Sequence, residues 1–172
     1  MSCGSNNTPI GAISVDVSLE KIKSQIADAR ENSEVVEGSA ETGYFIPPTL
    51  ILNPPPDATI LQEETFGPIA PITSFENEAQ AWDYINACDL GLSSSVFTKD
   101  VDRAWSWAEG LNSGITVVND WTHFWEHHLP FGGMASNRSG LGRLGGRHTL
   151  EFMSDLKIIV FNLGKPTFTR DG

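Results

Sequence analysis

The sequence predicts an α/β fold built on a parallel sheet, and three observations predict it. Between Ile69 and Val118, strand-like and helix-like segments alternate with short connections. That alternation marks crossovers onto parallel strands. Upstream, Leu19 to Asn32 carries the 3.6-residue stripe of an amphipathic helix. Third, 172 residues with 40% apolar and 19% charged side chains suit one ordinary globular domain.

The elements follow in order. Residues 1–8 read as a small, polar tail. In the first helix Leu19, Ile22, Ile26 and Ala29 share one face, and Asp16 or Ser18 can supply the N-cap. Val35 and Val36 open a short strand. Gly43 to Pro56 is extended, with Phe45-Ile46 and Leu50-Ile51-Leu52 as strand candidates, because its five prolines exclude helix. Ile69 to Phe75 is a strand, and Asn77 to Cys88 a helix with Ala81, Trp82 and Ile85 inward. Ser93 to Thr98 is a strand. Val101 to Leu111 is a helix striped by Val101, Ala104, Trp105, Ala108 and Leu111, and Ile115 to Val118 is a strand. The irregular stretch Asn119 to Arg147 leaves the C-terminal end of that strand, where open α/β sheets bind ligands. A short helix, Thr149 to Met153, and a strand, Lys157 to Phe161, complete the order.

Composition narrows the function. A formal charge of -11 repels phosphate backbones and argues against nucleic-acid partners. Two cysteines, Cys3 and Cys88, make no disulfide framework, so a reducing cytoplasm is expected. No signal-peptide pattern opens the chain, and no run reaches the roughly 18 apolar residues of a membrane helix.

Four motifs carry possible chemistry. Gly140-Leu-Gly142-Arg-Leu-Gly145 matches GxGxxG, but it follows a loop and lacks the acidic residue about 20 positions on; it reads as a turn for close packing. Glu63-Glu64-Thr65-Phe66-Gly67-Pro68 is either solvated surface or a carboxylate for a ribose diol with an apolar wall for a flat ring. His123 and His127 have the i, i+4 spacing of helical zinc sites, yet their neighbours are aromatic and HExxH is absent, so they read as pocket-lining or surface histidines. Cys3 lies in a tail, and Cys88 ends an amphipathic helix as a small buried thiol.

Several blocks together resemble one family. Gly43-Tyr-Phe-Ile-Pro-Pro-Thr-Leu, the Glu63 to Pro68 block, Gly91-Leu-Ser-Ser-Ser-Val-Phe-Thr-Lys-Asp, Ser113 to Asn119, Pro130-Phe-Gly-Gly133 and Ser139-Gly-Leu-Gly-Arg143 are similar, in order and spacing, to the aldehyde dehydrogenase superfamily. The likeness runs from about Ile10 to Leu163, and Met134 to Arg138 is longer than the common form of that loop.

The resemblance implies a partial aldehyde dehydrogenase catalytic domain over residues 9–156, a bridging and oligomerisation strand over 157–163, and a tail over 164–172. It implies that Glu64 binds the nicotinamide ribose of NAD or NADP, that Phe66 lines the nicotinamide site, and that Phe131 is an aromatic at the substrate pocket. Trp121, Phe124 and Trp125 fall in the variable loop at the aldehyde entrance. The family's nucleophilic cysteine, general-base glutamate, oxyanion asparagine and Rossmann domain match upstream of these blocks. The resemblance therefore implies a chain inactive by itself that binds no cofactor, or binds it weakly. The alternatives are one piece of a split enzyme or a non-enzymatic interaction module. Its partners would be an aldehyde and either further copies or the missing dehydrogenase segment, and no metal is implied.

Overall fold

The computed structural model describes residues 10–39, 43–123, 126–134 and 136–164, so the expected tail at 1–8 and all but Gly164 of the one at 164–172 lie outside the described residues. The chain divides into two compact units, one ending at Leu90 and one beginning at Gly91. The fold is α/β, with a parallel strand pair in each unit.

The first unit comprises α1 (Asp16–Asn32), β1 (Glu34–Glu37), β2 (Thr49–Leu52), α2 (Thr59–Gln62), β3 (Ile69–Ile72) and α3 (Glu78–Asn86). The apolar stripe of α1 is buried as its spacing predicts, and Gln25 is buried with it. β2 is the middle strand, antiparallel to β1 and parallel to β3. Its pleat buries Thr49 and Ile51 and exposes Leu50. Two packed clusters form the core. Leu19, Ile22, Ile26 and Ile46 make one and Ala29, Ile51, Ala58 and Ile60 the other, with Ile69 against both.

Three expectations need correction here. The cap position of α1 is Val15, which makes no side-chain bond. Asp16 lies inside the helix, where its carboxylate accepts a 2.6 Å hydrogen bond from the Tyr44 hydroxyl. Phe45-Ile46 belongs to no strand of the sheet. β3 stops at Ile72 because Asn53, at φ 49°, turns the end of β2 away and its Oδ1 takes the Ser74 N–H at 2.8 Å. The single turn α2 completes a β2–α2–β3 crossover. At four residues it is too short to show a helical period in sequence.

The second unit comprises β4 (Ser93–Val96), α4 (Val101–Gly110), β5 (Ile115–Val118) and α5 (Arg147–Phe152). β4 and β5 are parallel, in register from Ser93 with Ile115 to Val96 with Val118. Asp100 caps α4 by accepting the Arg103 N–H at 3.0 Å. The strands expected to follow one another across a single ladder pair differently: β3 takes β2, and β4 takes β5. Of the α4 stripe, Ala104 is buried while Val101 and Trp105 are exposed. Two described strands are narrower than the stripe the helix offers.

Past β5 the loop is pinned by short polar contacts. Phe131 and Leu144 form an antiparallel bridge. The Arg143 guanidinium donates to the carbonyls of Gly114 and Gly132, tying the loop to the start of β5. Gly145 has φ 111°, and a Cβ there would strike the Leu129 carbonyl oxygen. The GxGxxG stretch is therefore a close-packing turn, as its context suggests.

The expected strand Lys157 to Phe161 does not form. Residues 154–163 lie in no helix or strand, and Ile158, Ile159, Val160 and Phe161 are exposed. β-branched content supplies propensity, but a strand exists only when a neighbour takes its backbone groups. Among the described residues, no helix is long and apolar enough to cross a membrane.

Candidate functional site

In the first unit the residues Glu63 to Gly67 run as a strap between α2 and β3, outside any helix or strand. Together with α1 they enclose a cavity of about 140 Å³ lined by Ser18, Lys21, Ile22, Glu64, Thr65 and Phe66. The two glutamates divide: Glu63 pairs with Lys21 Nζ at 3.2 Å, and Glu64 lines the cavity. Phe66 is 77% exposed, an apolar ring held in solvent. The Thr65 hydroxyl donates to Gln25 Oε1 at 2.6 Å. Glu64 and Phe66 are thus brought to one place. Ser18, expected only as a possible helix cap, and Lys21 join them. The signal was present, since residues 18, 21, 22 and 25 share a helical face, but nothing local says what that face meets.

In the second unit a cavity of about 790 Å³ is lined by Leu92, Ser93, Thr122, His123, His127, Phe131, Leu144, Gly145 and Thr149. This is within the size of ordinary small-molecule sites. Phe131 is half-buried, and the bridge to Leu144 fixes its backbone through hydrogen bonds of 2.6 and 2.8 Å. Trp121 is exposed, its ring 5.1 Å from the imidazole of the cavity-lining His123 and tilted by 51°. Phe124 and Trp125 lie outside the described residues.

His123 and His127 line this cavity, but no helix carries them, so their spacing is not that of a helical zinc pair. No group of three or more His, Cys, Asp or Glu residues among the described ones could hold a metal. His128 instead lies 3.3 Å from Glu126, with both side chains exposed. Cys88 is a free, half-buried thiol that does not line the cavity of its own unit. Cys3 is outside the described residues.

A strap presenting a carboxylate and an aromatic ring, and a roomy apolar cavity behind a parallel strand, are arrangements suited to a sugar diol and a small organic substrate. Comparison with known proteins gives the class. The model of the aldehyde dehydrogenase family matches residues 2–159. The chain is 32% identical over 169 residues to 4-trimethylaminobutyraldehyde dehydrogenase B of Danio rerio, covering 92% of this chain and 32% of the relative. It is 37% identical over 146 residues to vanillin dehydrogenase of Corynebacterium glutamicum, covering 84% and 30%. The crystal structure of an NAD-dependent aldehyde dehydrogenase from Sinorhizobium meliloti superposes with a TM-score of 0.81 at 30% identity, covering 95% of this chain and 33% of that one. The chain belongs to the aldehyde dehydrogenase family. It spans about a third of the length of these relatives.

Proposed function

We propose that this chain supplies the nicotinamide-ribose contacts and part of the aldehyde pocket of an NAD(P)-dependent aldehyde dehydrogenase that turns an aldehyde into a carboxylic acid. The observation that carries the reading is the cavity beside α1, where Glu64 and Phe66 meet Ser18 and Lys21. A carboxylate accepts hydrogen bonds from both hydroxyls of a ribose diol, and a hydroxyl and an ammonium donate to the diol oxygens. Phe66 offers a flat apolar wall beside them. At about 140 Å³ the cavity admits one end of a dinucleotide and not the whole, and the resemblance of Glu64 and Phe66 to the family's cofactor residues favours the nicotinamide-ribose end. When bound, the nicotinamide dinucleotide accepts the hydride released in aldehyde oxidation.

In the second unit Leu92, Phe131 and Leu144 desolvate the aldehyde's apolar body, while Ser93, Thr122 and Thr149 offer hydroxyls to its polar groups. Covalent oxidation of an aldehyde through a thiolate also needs an activated cysteine. None of the family-like blocks of this chain carries that cysteine, so residues 1–172 by themselves are expected to give no turnover. A thiolate chemistry suits the reducing, cytoplasmic setting expected from cysteine usage. The exposed run Ile158–Phe161 supports one further part of the reading, that this segment pairs as a strand with another chain.

A chimaera tests the proposal, with residues 10–163 replacing the matching C-terminal third of a related aldehyde dehydrogenase. It should reduce NAD or NADP in an aldehyde-dependent manner. Glu64→Gln should raise KM for the cofactor about tenfold, the weight of one charge-assisted hydrogen bond. An active chimaera whose cofactor KM ignores Glu64→Gln would remove Glu64 from the site.

A further inference from the structure

We propose that Gln25 is a positioning residue: through one buried hydrogen bond to Thr65 it sets the strap that presents Glu64 and Phe66. This rests on the reading that Glu64 and Phe66 face a nicotinamide ribose. Ser18, Lys21 and Ile22 line the cavity from the first turns of α1, and Gln25 occupies the next turn of the same face. It is only 3% exposed and sits among the apolar core residues of the helix.

A buried amide is costly unless it is satisfied. The Gln25 Oε1 accepts the Thr65 hydroxyl at 2.6 Å, while its Nε2 finds no partner among the described residues. As a core filler such a glutamine is inferior to a methionine of similar size, which packs without an orphaned donor. What it contributes is direction. Thr65 stands between Glu64 and Phe66 in sequence, so fixing its side chain fixes the backbone on which both are carried.

The strap has few other restraints. At its start Glu63 donates its N–H to Thr59 O at 2.9 Å and pairs with Lys21; beyond that come two short turns, Gly67 N–H to Thr65 O at 3.0 Å and Ile69 N–H to Gly67 O at 2.9 Å. It lies directly on α1: a Cβ at Gly67 would come within 2.6 Å of Ile22 Cδ1. With the backbone so close to the helix, the hydrogen bond between Gln25 and Thr65 decides the angle at which the strap leaves it.

The test uses the 172-residue chain with Thr65→Val, Gln25→Met and the double variant. Three quantities are read: the melting temperature, amide hydrogen exchange at Glu64 to Gly67, and nicotinamide mononucleotide affinity from NMR shifts of Glu64 and Phe66. Thr65→Val alone leaves the Gln25 amide wholly unpaired, so it should lower the melting temperature and speed exchange in the strap about tenfold. It should also weaken the mononucleotide about fivefold. The double variant removes the orphaned amide and should recover the melting temperature. Strap exchange should stay fast and affinity low.

Recovery of all three quantities together would make the pair a packing detail and overturn the proposal. Unchanged strap exchange in every variant would overturn it as well. A wild-type chain whose Glu64 and Phe66 resonances ignore the mononucleotide would instead sink the nicotinamide reading, and the exchange data would still decide whether Gln25 sets the strap.

Discussion

In the first unit Leu19, Ile22, Ile26, Ile46, Ile51 and Ile60 are buried together, and the polar cavity rides on the back of that core. In the second, Ala104 is the only buried hydrophobic residue among the described ones. Polar contacts take the place of a core there. The hydroxyls of Ser94, Ser113 and Thr116 lie within 2.7 to 3.1 Å of one another. The Asn137 amide donates to the carbonyls of Gly91 and Asn112, and the Ser139 hydroxyl accepts the Gly91 N–H. The comparison separates two ways of holding a site. A strap laid on an apolar helix face depends on packing, whereas a cavity closed by a long loop depends on directional bonds to backbone. Their responses to mutation should differ accordingly.

The largest effect is expected at Ile51, which is 0% exposed in the middle strand. Ile51→Ala should destabilise the first unit by about 4 kcal/mol, through lost burial and the cavity left behind. Hydrogen exchange during urea unfolding locates the effect. Equal acceleration of the β4–β5 amides would mean that the units share one cooperative transition, and the contrast would fail.

Arg143→Met keeps the side chain's bulk and removes the donors that reach Gly114 and Gly132. A cost of about 2 kcal/mol is expected from two partly buried carbonyls losing a charged donor. Loss of protection should concentrate in the loop and the start of β5. A stability change below the error of a denaturant titration would show that packing, after all, holds the second unit.

A smaller change is expected from Asp100→Ala, which removes the cap on α4 and should cost about 1 kcal/mol. Asn77→Ala on α3, where Asn77 accepts the Gln80 N–H at 3.0 Å, provides the matching measurement in the first unit. Similar values in the two would confirm that local capping, unlike core packing, is indifferent to which unit carries it.

The smallest effect is a pH dependence. Tyr44 is held above the ordinary phenol range, first by its hydrogen bond to Asp16 and then by the charge of that carboxylate. Because the folded-state value is raised, the stabilisation is fully present below the unfolded phenol's pKa and is lost as pH rises through the folded value. The window is therefore alkaline. Tyrosinate absorbance should show one of the two tyrosines titrating late in the wild type and at lower pH in Asp16→Asn. Identical curves would discard the link between α1 and Tyr44.

Much of this was determined by sequence alone. The spacing of Leu19, Ile22, Ile26 and Ala29 marked α1 and its buried face, because a helix repeats locally and needs no partner to show its period. The limits of β5 were legible for the same local reason, and the blocks carrying Glu64, Phe66 and Phe131 stood out through their resemblance to a known family. Tertiary structure decided what depends on two distant segments meeting. It paired β3 with β2, left Val101 and Trp105 exposed, and gave Lys157 to Phe161 no strand neighbour. It also placed Ser18, Lys21 and Gln25 against a strap some forty residues away in the chain, as the separation of Gln25 from Thr65 measures. A ladder, a cavity or a buried hydrogen bond is a property of two surfaces, and a periodicity read along one of them describes only that half.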